Sequence, residues 1–173
     1  MRKLYFLPVL AVALMAASCD EDSPANPSEI APTFSMALLA SNEVPLVTNV
    51  ETSCTGNVTI RLNITRDAAQ VITATNVDFT ANISGCPSTT NIIAAHIHEG
   101  PAGVAAPVVI GTGIASGQVP LVNGAGSFTR NGVNVTDLSI IRRILDNPNA
   151  FYFNIHSTAN GGGVIRAQLV RTQ

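Results

Sequence analysis

Hydrophobic and polar residues alternate along most of the chain after residue 33, which is the two-residue period of a β-strand. The clearest example is the segment 57–65, where Val58, Ile60, Leu62 and Ile64 occupy every second position. A strand of this kind buries one face and exposes the other. Short runs rich in valine, isoleucine, threonine and phenylalanine, separated by turn residues, predict strands at 34–40, 57–65, 71–83, 91–98, 108–115, 127–130, 151–156 and 164–170. These strands predict an all-β fold, an antiparallel sandwich or barrel.

One segment, 136–146, has a different period. Its apolar residues Leu138, Ile141 and Leu145 lie three or four positions apart, which indicates one face of a helix. Thr136 is predicted as the N-cap, and Pro148 follows the end of the pattern. We therefore expect one short helix, packed over an end or an edge of the strands.

Residues 1–18 have the composition of a lipoprotein signal peptide. Arg2 and Lys3 precede an apolar stretch at 4–17, which is short for a membrane-spanning helix. The stretch ends in Ala-Ala-Ser before Cys19, the pattern of a bacterial lipobox. Cleavage there would leave Cys19 to carry lipid, whereas an ordinary secretory signal would leave its thiol free. We favour lipidation because an odd free thiol is a liability in an oxidising compartment.

Lipidation of Cys19 would anchor the protein to a bacterial membrane, facing the periplasm or the exterior. The predicted location is therefore the cell envelope. Residues 19–32 are acidic and rich in proline, serine and asparagine, which predicts a flexible tether. The folded domain is expected at 33–173.

Charge and composition exclude several classes of function. Cleavage after residue 18 would leave seven basic residues against 11 acidic ones, and no lysine. Such a chain has no strongly basic surface for nucleic acid, and no lysine for Schiff-base or phosphate-loop chemistry. Chemistry that uses imidazole is limited to three histidines.

The other two cysteines, Cys54 and Cys86, are predicted to form a disulfide, because both would lie outside the cytoplasm. Closing a loop of this length stabilises a fold by about 3–4 kcal/mol in the chain-entropy model. A redox-active or metal-binding pair is the alternative. It is not favoured, because the chain has no Cys-x-x-Cys motif and no histidine adjoins either cysteine.

The three histidines fall on two predicted strands. His96 and His98 are two positions apart, so they share a strand face with Cα atoms about 6–7 Å apart. His156 ends a strand on which it shares a face with Asn154. If the two strands are neighbours, all three imidazoles meet, and three imidazoles suit copper or zinc. The alternative is a hydrogen-bonded polar patch that includes Asn154, Glu99 and Arg166.

Four segments carry a resemblance to a known family. They are LLASNEVP at 38–45, AHIHEGPAG at 95–103, YFNIHST at 152–158 and GVIRAQ at 163–168. In order and spacing they resemble the CHRD domain, a module first described in chordin and found widely in secreted bacterial proteins. The resemblance covers about residues 33–170. It implies a Greek-key antiparallel β-sandwich of the immunoglobulin or superoxide dismutase type, and it implies no catalytic activity.

The strand with His96 and His98 also looks like the His-x-His copper strand of copper–zinc superoxide dismutase. That enzyme needs twice as many histidines and an aspartate for its two ions, whereas this chain has three histidines. Dismutase activity is therefore not expected, while binding of one copper or zinc ion remains open.

Three polar residues are expected to support the histidines rather than to bind substrate. Arg166 and Gln168 share a face of the last predicted strand, and Arg166 is expected either to pair with a carboxylate or to hydrogen-bond the loop carbonyls beside the histidines. Asn154 is expected to join the same polar group. Glu99 points to the face opposite the two histidines and is not expected to be a ligand.

Three hypotheses for function follow. The first is a non-enzymatic binding or interaction module on the cell envelope, with a protein or glycan partner that the sequence does not name. The second is a copper- or zinc-binding protein whose main role is metal handling. The third, a hydrolase, is least favoured because the chain has no nucleophile elbow and no evident catalytic triad.

Overall fold

The computed structural model describes residues 30–173. The predicted signal peptide, the lipidation site at Cys19 and all but the end of the tether lie outside the described residues. The described chain is all-β with one α-helix, as predicted, and no helix in it is long and apolar enough to cross a membrane. Its elements are β1 (Thr33–Leu39), β2 (Thr55–Arg66), β3 (Ile72–Ser84), β4 (Ile92–Glu99), β5 (Val108–Gly111), β6 (Gly126–Asn134), α1 (Leu138–Asp146), β7 (Phe151–Ser157) and β8 (Ile165–Gln168).

The eight strands form one antiparallel sheet in the order β5-β4-β7-β8-β1-β2-β3-β6. The sheet is curled. Three other strands separate β3 from β7, yet Phe79 of β3 stacks on Phe153 of β7 with ring centroids 5.9 Å apart. The two halves of the sheet, β5-β4-β7-β8 and β1-β2-β3-β6, therefore contribute to one core. The halves are joined where β1 meets β8, at the pairing of Leu39 with Arg166.

The alternation predicted for β2 is present, with Val58, Ile60 and Leu62 buried. Strand β7 is different, because every one of its residues is buried. Its core face carries Phe153 and Ile155, and loops cover the polar face that carries Asn154. A polar face without access to water needs internal partners for its hydrogen-bonding groups.

Helix α1 corrects one detail of the sequence analysis, since its N-cap is Asp137 and not Thr136. The Asp137 carboxylate accepts a hydrogen bond at 3.0 Å from the backbone N–H of Ser139, an amide in the first turn with no partner inside the helix. Threonine and aspartate are both good N-caps. The helix starts at Leu138, whereas an N-cap at Thr136 would have started it at residue 137. Its buried face, Ile140, Ile141 and Ile144, packs towards β3.

The predicted disulfide between Cys54 and Cys86 is confirmed. It ties the residue just before β2 to the loop just after β3, and both cysteines are buried. Strands β5 and β8 are shorter than predicted, at Val108–Gly111 and Ile165–Gln168.

Candidate metal centre

Antiparallel pairing of β4 with β7 brings the three histidines together. In this register His96 lies opposite Asn154, while His156 lies opposite Ala94. One ligand nitrogen from each of His96, His98 and His156 can be chosen so that all lie within 4.8 Å of one another. The condition set by the sequence, that the two strands be neighbours, is therefore met.

The three rings are packed closely enough for one ion. The Nδ1 atom of His96 lies 3.1 Å from the Nε2 atom of His156. This separation is less than twice the usual zinc–nitrogen bond length of about 2.0–2.1 Å, so a single ion can bind both atoms. The ring centroid of His98 is 5.7 Å from that of His96 and also 5.7 Å from that of His156.

Backbone carbonyls select the tautomer of two histidines. The Nδ1 atom of His98 lies 2.8 Å from the carbonyl oxygen of Ala106, and that of His156 lies 3.0 Å from the carbonyl oxygen of Gly161. A carbonyl oxygen only accepts, so in both rings Nδ1 carries the hydrogen and Nε2 presents a lone pair. Metal-binding histidines are commonly oriented through their second nitrogen in this way.

The Nε2 atom of His98 is buried and has no hydrogen-bond partner. A buried acceptor left without a partner costs about 1–3 kcal/mol of stability. A metal ion at this position would remove that penalty, and an imidazole lone pair is a good ligand for copper or zinc. The donor set at the cluster thus fits such an ion.

The electrostatics of the cluster keep the imidazoles neutral at pH 7. Burial lowers the pKa of His96 to about 4, with smaller contributions from His156 and His98. Burial is also the largest cause that lowers the pKa of His98 and of His156. Neutral imidazole is the form that binds metal ions.

Arg166 and Gln168 lie on β8, on the other side of β7 from β4. The guanidinium carbon of Arg166 lies 3.3 Å from the ring centroid of Tyr152, and the His98 ring stacks parallel to the same tyrosine at 4.7 Å. Arg166 also donates to the carbonyl of Pro101, and Gln168 donates to that of Gly100. These two residues therefore hold the turn that follows β4, and the aromatic contact supports His98.

Asn154 connects the cluster to the loop after β7. Its side-chain amide donates to the carbonyl of Gly162 at 3.2 Å and to the carboxyl group of Glu43 at 3.4 Å. Gly163, at φ 141°, lies directly beside these groups, and a Cβ atom there would overlap both Asn154 and Glu43. Backbone in this region of φ favours glycine.

Two buried carboxyl groups near the site, those of Glu43 and Glu51, were not predicted as site residues. Glu51 accepts hydrogen bonds from the side chains of Ser157 and Asn160, at the two ends of the turn that leads to Gly161. Glu43 has one carboxyl oxygen without a partner, and burial raises its pKa to about 8. No periodicity marks either residue, because Glu51 lies in a 3-10 helix of four residues, Val50–Ser53, and Glu43 follows one of three, Ala40–Asn42.

Glu99, by contrast, is not part of the histidine cluster, as predicted. It forms a two-pronged ion pair with Arg143 of α1, at 2.8 and 2.9 Å. This contact ties the helix to β4.

A family model described as CHRD domain matches residues 34–169. The chain belongs to the CHRD domain family. The matched range includes all three histidines, the disulfide and nearly all of the curled sheet of this CHRD domain. Comparison with curated proteins and with solved structures gives no significant match.

Proposed function

We propose that this CHRD domain is a non-enzymatic binding module of the bacterial cell envelope that holds one copper or zinc ion at His96, His98 and His156. The observation that carries the proposal is the convergence of three ligand nitrogens within 4.8 Å. It is supported by the two carbonyls that keep the Nε2 atoms of His98 and His156 free of hydrogen.

The ligand types favour copper or zinc over a harder ion. The cluster offers neutral imidazole nitrogens, and within residues 30–173 no carboxylate or thiolate joins it. Calcium and magnesium prefer oxygen ligands, whereas imidazole suits copper and zinc. Three protein ligands leave a further position for water or for a group from a partner.

Metal titration of the purified, metal-free protein tests the site. We expect one equivalent of zinc or copper to bind, and His98→Gln to weaken binding by more than about 100-fold, since even supporting residues of metal sites contribute 10–100-fold. Glu99→Gln is the matched control, because Glu99 adjoins His98 but pairs with Arg143. Unchanged affinity in His98→Gln would overturn the site.

Envelope anchoring through Cys19 is the second part of the proposal, supported by the lipobox pattern and the acidic, proline-containing segment that follows it. A protein or glycan partner would meet the domain there. The intact mass of the protein from its native membrane tests this part. A mass that includes lipid on an N-terminal Cys19, with release of Cys19→Ser from the membrane fraction, is the expected result. A membrane-free protein with an unmodified Cys19 would contradict it.

Metal handling as the main role is the alternative, and one observation favours it. His96 is only partly buried, while His98 and His156 are 6% and 7% exposed. Because the His96 side chain reaches solvent, a competing chelator can approach the bound ion from that side. Transfer of the ion to a chelator within seconds would favour metal handling, whereas retention for hours would favour a structural ion in a binding module.

A further inference from the structure

A cleft of about 770 Å³ lies between β1, β8 and the loops that follow β1 and β4. We refer to it as the Arg166 cleft. None of the three histidines lines it. Its lining includes three polar or charged residues, Glu43, Arg166 and Gln168, and three aliphatic residues, Val44, Leu46 and Val170.

The guanidinium group of Arg166 has hydrogen-bond donors that no described residue uses. Arg166 is 2% exposed, and its Nη2 atom donates to Pro101 and Gln168. Within residues 30–173 no acceptor bonds its Nε or Nη1 atom, and no carboxylate forms an ion pair with it. A buried cation without a counter-charge is unfavourable, so an anion at this place would be stabilised.

Glu43 does not supply that counter-charge. Its carboxyl lines the same cleft, and one of its oxygens has no hydrogen-bond partner. Burial raises its pKa to about 8 in spite of the opposing effect of Arg166, so the group is neutral at pH 7. A neutral carboxylic acid adds no negative charge to the cleft, so it does not repel an anionic ligand.

Two of the aliphatic residues that line the cleft are open to solvent. Leu46 is 64% exposed and Val170 is 51% exposed, although both are large aliphatic residues. An apolar surface next to a cation fits a ligand that has an aliphatic chain and a negative head. The volume lies within the usual range for small-molecule sites, about 300–1,000 Å³.

We propose that the Arg166 cleft binds an aliphatic carboxylate, with its head on the free donors of Arg166 and its chain along Val44, Leu46 and Val170. Guanidinium groups bind carboxylates through two parallel hydrogen bonds, which gives this pairing both strength and direction. The site is separate from the histidines, so the proposal does not depend on metal binding.

Calorimetric titration of the metal-free protein with octanoate, octanol and octylammonium tests the charge preference. We expect saturable binding of octanoate, and at least tenfold weaker binding of the other two. Octanol that binds as well as octanoate would overturn the proposal, and so would the absence of saturable octanoate binding up to millimolar concentration.

Substitution at the wall of the cleft tests its position. Ala102 is exposed and lines the cleft, so its replacement leaves the core intact. Ala102→Glu places a negative charge beside the head group and should weaken octanoate binding at least tenfold, whereas Ala102→Gln, of the same size, should stay within about threefold of the parent. Equal affinity in the two variants, with both folded as judged by thermal unfolding, would place the ligand elsewhere.

Discussion

The Nδ1 atom of His96 lies 3.1 Å from the Nε2 atom of His156, across the pairing of β4 with β7. Because the Nδ1–H of His156 is bound to Gly161, its Nε2 atom can only accept. In the metal-free protein the shared hydrogen therefore belongs to His96. A metal ion that binds both nitrogens therefore requires the other tautomer of His96, in which the hydrogen has moved from Nδ1 to Nε2.

This relationship predicts the tautomers of the metal-free protein. Nitrogen-15 NMR should show hydrogen on Nδ1 of all three histidines. Zinc should then shift the Nε2 signals of His98 and His156 and leave their Nδ1–H groups bonded to Ala106 and Gly161. A metal-free protein in which His98 carries hydrogen on Nε2 would contradict the ligand arrangement.

Glu51→Gln should weaken zinc binding by about 10–100-fold, although Glu51 is not a ligand. The carboxylate accepts from Ser157 and Asn160 and so holds the turn that carries the Gly161 carbonyl to His156. Glutamine keeps one acceptor oxygen but replaces charge-assisted hydrogen bonds with neutral ones, so the free energy of unfolding should also fall by about 1–2 kcal/mol. Calorimetric zinc titration and urea unfolding measure the two effects.

Glu99→Gln is the control for this experiment, since it also removes one negative charge. It breaks a partly exposed ion pair with Arg143 and should leave zinc affinity unchanged. Equal zinc affinities of the parent and Glu51→Gln would show that the turn does not position His156.

Glu43 should make the protein less stable as the pH rises. Its folded pKa, about 8, lies above its ordinary value of 4.5, so the folded state binds more protons between these values. Stability is therefore present at low pH and is lost as the pH rises towards 8, by about 1–2 kcal/mol between pH 6.5 and 8.

Urea unfolding of the parent and Glu43→Gln over this range measures the effect. The histidine pKa values are lowered from 6.5, so they contribute little slope above that pH. The variant cannot ionise at residue 43 and should lack the decline. Parallel curves for the two proteins would show that Glu43 is ionised in the fold at neutral pH.

Gly163→Ala should destabilise the loop after β7. The new Cβ atom would overlap Asn154 and Glu43, at a φ of 141° that side chains rarely adopt. We expect a loss of about 1–3 kcal/mol in the free energy of unfolding, and weaker zinc binding because the loop also orients His156. Gly161→Ala is the matched control, since a Cβ atom there meets nothing within 4 Å. Equal stability of the two variants would contradict this packing.

The local sequence pattern was sufficient to predict most of the strands and to place two of the three histidines of the candidate site. The alternation in β2 and the His-x-His spacing in β4 are properties of neighbouring residues, so strand geometry alone places His96 and His98 on one face. The N-cap of α1 was misplaced by one residue because Thr136 and Asp137 both suit that position.

The rest of the site depended on the tertiary structure. The pairing of β4 with β7 joins residues 60 positions apart, and nothing in either strand alone specifies this neighbour or its register. The same holds for Glu51, whose hydrogen-bond partners Ser157 and Asn160 lie 106 and 109 positions away in the chain.

By itself, the sequence determined that this protein is an all-β member of the CHRD domain family with a disulfide and two histidines on one strand face. Only the tertiary structure decided that His156 completes the cluster and that backbone carbonyls orient two of its rings. It also decided that Arg166 is buried beside a cleft. The physical reason is that alternation and turn chemistry act between near neighbours, whereas pairing, burial and the pKa shifts that follow from burial arise from contacts between distant segments.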